Sequence, residues 1–220
     1  MNERDQRVEL VPFCYPNLNR KTYSPVRSVQ ADIFQVSTPM VEFPLSEWAP
    51  IEGKIRSKSR GPMQAAMNVY AGKALFNGLR GRNAVSNFDP EITRSISFGE
   101  GRAFSHWLPY LAKFDTTKSA GVVPVVDFRV RGGLSLDTYK FVFSMMNLAI
   151  REPAPEYEKA EFVIIKLPLK FPKSKKFKDR GMSIHDDNGE YFTFDELEEM
   201  ISTTYRLYEE VFADELRRAA

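Results

Sequence analysis

The sequence predicts an α+β fold, in which a mixed or antiparallel sheet is combined with at least three helices. Residues 122–130 and 160–169 are apolar, β-branched stretches typical of buried strands. The residues between them recur with helical spacing, and so do those at the C-terminus, where a long amphipathic helix is predicted. A strand, a helix and a strand in this order form either a crossover unit or half of an α+β sandwich.

The composition is that of a globular protein, with 43% hydrophobic and 27% charged residues. Because Cys14 is the only cysteine, neither an intramolecular disulfide nor a cysteine-based zinc site is possible. The N-terminal residues are charged and lack the apolar core of a signal peptide, and no apolar run is long enough to span a membrane. We therefore expect a cytoplasmic protein without a cofactor.

Two divisions of the chain are expected. Residues 1–28 are polar and rich in proline, which predicts an extended N-terminal arm packed on the body or on a neighbouring subunit, with a frayed terminus as the equal alternative. Residues 29–220 are expected to form a single α+β domain. Within it, residues 29–45 alternate partly between apolar and polar and contain Pro39 and Pro44, which predicts an edge strand or a broken hairpin.

A first basic cluster lies within residues 53–88, which contain no Asp or Glu in a chain whose net charge is only +2. Residues 53–60 are predicted to be a small, basic loop, and Pro62 to start a helix that ends near Asn77, before Gly78. This asymmetry indicates a surface for an anionic partner, such as a phosphate backbone. The positively charged residues are Lys54, Arg56, Lys58, Arg60, Lys73, Arg80 and Arg82.

A second basic cluster occupies residues 166–180 and interleaves lysines with phenylalanines. Lysine and arginine contact phosphates without reading sequence, and phenylalanine stacks on unpaired bases. Arg129 and Arg131, beside two glycines, extend the predicted track. The candidate nucleic-acid-binding residues of this cluster are Lys170, Phe171, Lys173, Lys175, Lys176, Phe177 and Lys178.

The C-terminal part begins with a predicted hairpin over residues 182–192, whose turn is Asp187-Asn188-Gly189. Thr193 and Glu196 have the spacing of a capping box, which opens the long helix. That helix has an apolar stripe and an acidic face, and the acidic face is suited to contact with another copy of the chain or with a basic partner.

No catalytic or metal site is predicted. His106 stands beside Trp107, where a structural role is favoured, and His185 precedes Asp186 and Asp187 in the predicted hairpin, where alternate side chains point to opposite faces. A calcium loop fails because its first ligand position is Ile184 and its last is Asp195. A metal-dependent nuclease using Asp127, Glu161 and Lys166 remains a distant alternative.

The sequence therefore favours a non-catalytic nucleic-acid-binding protein that prefers single-stranded DNA or RNA and belongs to a nucleoprotein assembly. Its expected partners are nucleic acid and, through the acidic C-terminal helix, a second copy or another protein, but no membrane. The alternative is a self-assembling structural or adaptor protein of the shell or matrix type without nucleic-acid binding, and the nuclease comes third.

Overall fold

The structure, a computed structural model, describes residues 6–7, 10, 23–37, 47–80, 85–88, 95–98, 103–105, 110–113, 121–128, 134, 136–167 and 182–219. Its helices are α1 (Ser24–Arg27), α2 (Gln30–Ile33), α3 (Trp48–Ser57), α4 (Pro62–Arg80), α5 (Leu136–Met146) and α6 (Phe194–Ala219). A π-helical segment, Asn147–Arg151, continues α5, and a short 3₁₀ helix covers Pro155–Tyr157.

The strands are β1 (Val36–Ser37), β2 (Val85–Phe88), β3 (Ser95–Ser97), β4 (Ala103–Ser105), β5 (Tyr110–Lys113), β6 (Val122–Asp127), β7 (Glu161–Lys166) and β8 (Ser183–Asp186). Six of them form one mixed sheet in the order β1-β2-β5-β6-β7-β8, and β3 pairs with β4 separately. The β1–β2 and β6–β7 pairs are parallel, and the others in the large sheet are antiparallel. The predicted α+β class, the mixed sheet and the long C-terminal helix are confirmed.

The strand–helix–strand prediction corresponds to β6, α5 and β7. Because β6 and β7 are parallel, α5 lies in a crossover connection between them. Side chains alternate between the two faces of a strand, and along β7 Phe162 and Ile164 join the core cluster around α5, whereas Val163 and Ile165 join the cluster around α1 to α4. Helices thus cover both faces of the sheet, which explains why these two strands are apolar between their terminal residues.

The basic loop predicted for residues 53–60 is wrong over most of its length, because helix α3 extends to Ser57. Trp48, Ile51 and Ile55 follow one another at helical spacing, and both isoleucines are fully buried. Lysine and arginine are themselves good helix formers, so the basic residues on the other face do not oppose this helix. Burial of the apolar face therefore decides the conformation.

The edge strand or broken hairpin predicted for residues 29–45 is wrong for residues 30–33, which are helical, and holds only for β1 (Val36–Ser37), which is the edge strand of the large sheet. Val29, the N-cap of α2, and Ile33, its last residue, are both buried and lie one helical turn apart. Strand β1 is only two residues long. Gln35, with φ of 52°, takes the left-handed conformation between the helix and the strand. Partial alternation of apolar and polar residues over a short stretch is therefore not enough to indicate a strand.

The predicted hairpin over residues 182–192 is wrong in its pairing. Strand β8 pairs antiparallel with β7, and the residues after the turn are not in a strand. The turn itself is present: Gly189 has φ of 75°, and its N–H donates to Asp187 Oδ1 at 2.9 Å. The capping box is confirmed, because the Thr193 N–H donates to Glu196 Oε2 at 2.8 Å and the Glu196 N–H donates to Thr193 Oγ1 at 3.3 Å.

The chain divides into two compact units. Unit 1 comprises Met1–Lys21, Ser97–Phe104 and Phe192–Ala220, and unit 2 comprises Thr22–Ile96 and Ser105–Tyr191. The end of the predicted arm is helical, since α1 lies in it and buries Val26. The division into an arm and one domain stays a prediction. No described helix is both long enough and apolar enough to cross a membrane.

Candidate interaction surfaces

The first candidate surface is the basic cluster on α3, on α4 and on the turn between them. Lys54, Arg56, Lys58, Arg60, Lys73 and Arg80 are described, and all of them lie on unit 2. The remaining candidates fall outside the described residues: Arg82, Arg129, Arg131, Lys170, Phe171, Lys173, Lys175, Lys176, Phe177 and Lys178. Which of these side chains contacts a partner stays a prediction.

Two of the positive charges in this cluster are paired with acids that lie outside residues 53–88. Lys54 Nζ donates to Asp32 Oδ2 at 2.8 Å, and the Arg56 guanidinium contacts Glu52 Oε1 at 2.6 Å. The bond from Arg56, followed by one from the Trp48 indole, lowers the pKa of Glu52 below its ordinary value of 4.5. The surface is therefore less positive than its own sequence segment suggests.

Beneath this surface, two buried carboxamides have opposite hydrogen-bonding states. Asn68 is fully buried; its Oδ1 accepts the Val26 N–H at 3.0 Å and its Nδ2 donates to the Gln64 carbonyl at 2.9 Å. It thereby satisfies a backbone donor in α1, a helix without a side-chain cap of its own. Gln30 is only 3% exposed, and its Nε2 has no hydrogen-bond partner among the described residues. Such an unsatisfied buried donor destabilises the fold.

A guanidinium clasp, made of Arg151, Asp187, Tyr191 and the Ala160 carbonyl, ties together the other side of unit 2. Arg151 Nη2 and Nε donate to the Ala160 carbonyl at 2.6 and 3.0 Å, and its guanidinium lies 4.1 Å from the centre of the Phe162 ring. The Tyr191 hydroxyl donates to Asp187 Oδ2. Burial, and then this bond, raises the pKa of Tyr191 above its ordinary value of 10.0. The clasp holds backbone and side chains of unit 2 together.

The nuclease alternative is wrong on geometry. In the parallel register Asp127 is opposite Lys166, whereas Glu161 is opposite Val122 at the other end of the strand pair. Five residues along a strand span about 16 Å, which is too far for the two carboxylates to hold one metal ion. Asp127 instead accepts the Leu134 N–H at 2.7 Å.

Of the two histidines, His185 lies within the described residues. His185 lies against the Tyr139 ring, with centroids 5.0 Å apart, and its Nε2 is 3.3 Å from Ser183 Oγ. Within the described ranges no group of three or more His, Cys, Asp or Glu side chains is placed to hold a metal ion. His106 lies outside the described residues.

The second candidate surface is on α6, in unit 1. One stripe of this helix is buried and contains Leu197, Ile201, Leu207 and Val211. A neighbouring stripe, here called the exposed stripe, consists of the half-buried Tyr205 and Tyr208 and the exposed Phe212 and Leu216. Leu216 is 57% exposed and Phe212 is 37% exposed, and Phe212 stacks on Tyr208 with ring centroids 6.0 Å apart.

Ion pairs surround the exposed stripe on the rest of α6. Arg206 contacts Glu210 at 3.0 Å, and Arg217 contacts Asp214 at 2.8 Å. Arg7 also pairs with Glu210, and Arg218 pairs with Glu215. Glu209 is different: its side chain is exposed, and it makes no ion pair within the part of the chain that the structure describes. It stands one turn from both Tyr205 and Phe212, at the edge of the exposed stripe.

Paired surface charges beside an exposed apolar stripe are typical of a protein that binds other proteins. The family is shown by sequence: the model of the family described as "Sliding clamp-binding bacterial toxin SocB" matches residues 3–220. The chain therefore belongs to the SocB family of sliding clamp-binding bacterial toxins.

A curated relative supports this assignment. The "DNA replication inhibitor toxin SocB" of Caulobacter vibrioides (strain NA1000 / CB15N) is 23% identical over 203 residues, which cover 90% of this chain and 80% of that protein. No solved structure matches the chain.

The family match overturns the function and partner expected from the sequence. A nucleic-acid-binding assembly subunit was predicted, with a self-assembling structural protein as the alternative, whereas the family is one of protein-binding toxins. The prediction treated the basic cluster as unpaired, because Asp32 is far from Lys54 in sequence and Glu52 lies just before the segment considered. It also placed Tyr208, Val211 and Phe212 in one apolar stripe of the last helix and did not include Leu216.

Proposed function

We propose that this protein is a toxin that binds a sliding clamp and inhibits DNA replication through that contact. The match to the clamp-binding toxin family over residues 3–220 carries the proposal, and the relative's description as a DNA replication inhibitor supports it. A protein with this function works in the bacterial cytoplasm, where DNA is replicated.

The chemistry of the described residues fits inhibition by occupancy. A protein that occupies a surface of the clamp excludes other proteins that need the same surface, and this requires affinity rather than a catalytic group. The clasp, the buried Asn68 and the bonded Asp127 are all used within the fold. In this mechanism inhibition follows the fraction of clamp bound, so it increases with toxin concentration and saturates.

The test uses the purified protein, the purified sliding clamp of the same bacterium and isothermal titration calorimetry. We expect saturable binding in the absence of DNA. In parallel, DNA synthesis is measured on a long primed template, where extension depends on the clamp, and on a short template, where it does not. We expect inhibition of the clamp-dependent reaction only, with half-inhibition near the dissociation constant.

Two results would contradict the proposal. One is the absence of heat and of a complex at clamp concentrations well above micromolar. The other is equal inhibition of both synthesis reactions, which would mean that the protein acts on the polymerase or on the template rather than on the clamp.

A further inference from the structure

We propose that the turn Asp187-Asn188-Gly189 is a self-modification site, at which Asn188 deamidates through attack by the Gly189 backbone nitrogen and thereby loosens the clasp. The reaction does not depend on clamp binding, because it uses only residues of unit 2 and water. Asparagine is a thermolabile residue, and a glycine after it leaves the attacking nitrogen uncrowded. The sequence contains two such pairs, Asn77-Gly78 and Asn188-Gly189, and the structure places them in different environments.

The reaction consumes one water molecule and releases one ammonia molecule. The Gly189 nitrogen forms a bond to Asn188 Cγ and loses its proton, while the bond from Cγ to Nδ2 breaks and Nδ2 leaves as ammonia. The product of this step is a five-membered succinimide ring. Water then opens the ring at one of its two carbonyl groups, which leaves aspartate or isoaspartate in place of Asn188.

The attacking nitrogen is bonded to a carboxylate. The Gly189 N–H donates to Asp187 Oδ1 at 2.9 Å, which is within the reach of a general base. The other oxygen, Oδ2, faces the Arg151 guanidinium at 3.4 Å, so the carboxylate is held in place by the clasp. A Cβ added at Gly189 would meet none of the described atoms within 4 Å beyond its chain neighbours, so the turn is not crowded at this residue.

The carboxamide of Asn188 is held beside this nitrogen and is polarised. Asn188 Oδ1 accepts the Glu190 N–H at 3.2 Å, so the side chain bends over the backbone of Gly189. Negative charge develops on Oδ1 when the nitrogen attacks Cγ, and an N–H that already points at this oxygen stabilises the charge. Asn188 is exposed, which gives water access to the succinimide. The turn therefore places a base and an oxyanion donor at one bond-forming step.

The other pair consists of the same two residue types in a different conformation. Asn77 and Gly78 lie inside helix α4, and Asn77 is exposed, as Asn188 is. In a helix the Gly78 N–H bonds to the carbonyl four residues earlier, and the Asn77 side chain points back toward the helix N-terminus, away from that nitrogen. The two pairs are thus matched in sequence and in exposure of the asparagine, and they differ in backbone conformation.

The product of the reaction changes the clasp from within the turn. A carboxylate at position 188 adds a negative charge between Asp187 and Glu190, and like charges repel one another. Isoaspartate also lengthens the backbone by one carbon between Asp187 and Tyr191, whose hydroxyl donates to Asp187 across this turn. Both changes move Asp187 relative to its clasp partners, so the modified protein is less stable than the fresh protein.

The first test compares the two pairs in one peptide map. The purified protein is incubated at neutral pH, either folded or in urea, and is then digested with trypsin under mildly acidic conditions. The pairs fall on separate peptides, residues 74–80 and 181–206, and mass spectrometry measures deamidation of each. In the folded protein we expect Asn188 to react at least about tenfold faster than Asn77 and than Asn188 itself in urea, as with a positioned base.

In urea the two pairs should react at similar rates, because neither retains its folded environment. If Asn188 reacts no faster in the folded protein than in urea, its hydrogen bonds protect the turn instead of promoting the reaction. That result would overturn the self-modification site.

A second test identifies the base. Asp187→Ser keeps a side-chain oxygen that can accept the Gly189 N–H, but a hydroxyl is not a base at neutral pH, so we expect deamidation to slow about tenfold. Tyr191→Phe is the matched control, because it removes the same clasp contact and leaves Asp187 beside Gly189 and Arg151. This control should keep the rate of the unmodified protein. Equal slowing in both variants would overturn the role of the Asp187 carboxylate.

A third test connects the modification to stability. Asn188→Gln keeps the carboxamide, but cyclisation would need a six-membered ring, which forms far more slowly. Before incubation we expect this variant and the unmodified protein to melt at similar temperatures. After incubation the melting temperature should fall only for the unmodified protein, in step with its isoaspartate content measured by enzymatic methylation. An unchanged melting temperature after complete deamidation would overturn the effect on the clasp.

Discussion

Helices α4 and α6 are both long, yet they differ in how their apolar side chains are divided between the core and the surface. Helix α4 buries Leu75 and Asn68 completely, and a Cβ added at Gly72 would lie 3.0 Å from the side chains of Ile55 and Val26. Helix α6 buries one stripe and leaves the exposed stripe partly in solvent. The solvent side of the first helix carries basic side chains and Met63, whereas that of the second also carries Phe212 and Leu216 close together. Hydrophobicity in a sequence therefore does not tell whether a residue lies in the core or on the surface.

The largest expected effect comes from the same substitution made on each helix. Leu75→Ala should reduce the free energy of unfolding by roughly 2–5 kcal/mol, because it leaves a cavity in the core. Leu216→Ala should change it by less than about 0.5 kcal/mol, because that side chain is already exposed. Urea denaturation followed by circular dichroism measures both. Equal losses would mean that the exposed stripe is covered in solution.

A second comparison tests the two buried carboxamides. Asn68→Leu should cost about 1–3 kcal/mol, because the Val26 N–H loses its acceptor inside the protein. Gln30→Met, which is similar in shape, should be neutral or stabilising by about 1 kcal/mol, because it removes a buried donor without a partner. The midpoints of urea denaturation of the two variants measure both changes in stability. A large loss for Gln30→Met would show that its Nε2 is satisfied in solution.

A third comparison concerns two glycines in helices. An added Cβ at Gly78 would lie 2.7 Å from Met182 Cβ, so Gly78→Ala should destabilise by about 1 kcal/mol after its gain in helix propensity. An added Cβ at Gly53 would meet none of the described residues within 4 Å beyond its own helix, and Gly53→Ala should stabilise by about 0.5–1 kcal/mol. Opposite shifts in melting temperature are expected. A shift of the same sign at both sites would contradict the close contact of Gly78.

The smallest effect is the pH dependence of the Arg56–Glu52 pair on α3. The pKa of Glu52 is lowered in the folded state, so its stabilisation is complete above about pH 4.5 and is lost as the pH falls through the folded pKa. Glu52→Gln should cost about 0.3–0.5 kcal/mol at pH 7 and less at pH 3, where Glu52 is more protonated. Urea midpoints at the two pH values give the difference. An equal cost at both would show that the charge of Glu52 is not what matters.

The elements that could be predicted from sequence have strong local signals. Strands β6 and β7 are apolar between their terminal residues, α4 starts at Pro62, and α6 opens with the Thr193–Glu196 capping box. Their local preference and their tertiary environment agree, which is the condition for reading structure from sequence.

The missed features depend on contacts between distant residues. Helix α3 exists because Ile51 and Ile55 are buried in the same core cluster as Val26 and Leu75, and Lys54 is neutralised by Asp32 from a different helix. The candidate site was misjudged for the same reason. A cluster of positive charges is visible in the sequence, but its partners and the exposure of Phe212 and Leu216 are properties of the folded chain.

The π-helical segment after α5 has a consequence for insertions and deletions. The Glu152 N–H donates to the Asn147 carbonyl five residues earlier, so the segment behaves as an α-helix with one additional residue. That residue turns Arg151 by about 100° relative to a regular helix. Deleting one residue here should therefore leave a regular helix that still folds, but with Arg151 directed away from the Ala160 carbonyl and from Tyr191. A one-residue length change would thus abolish the clasp without altering any of its members.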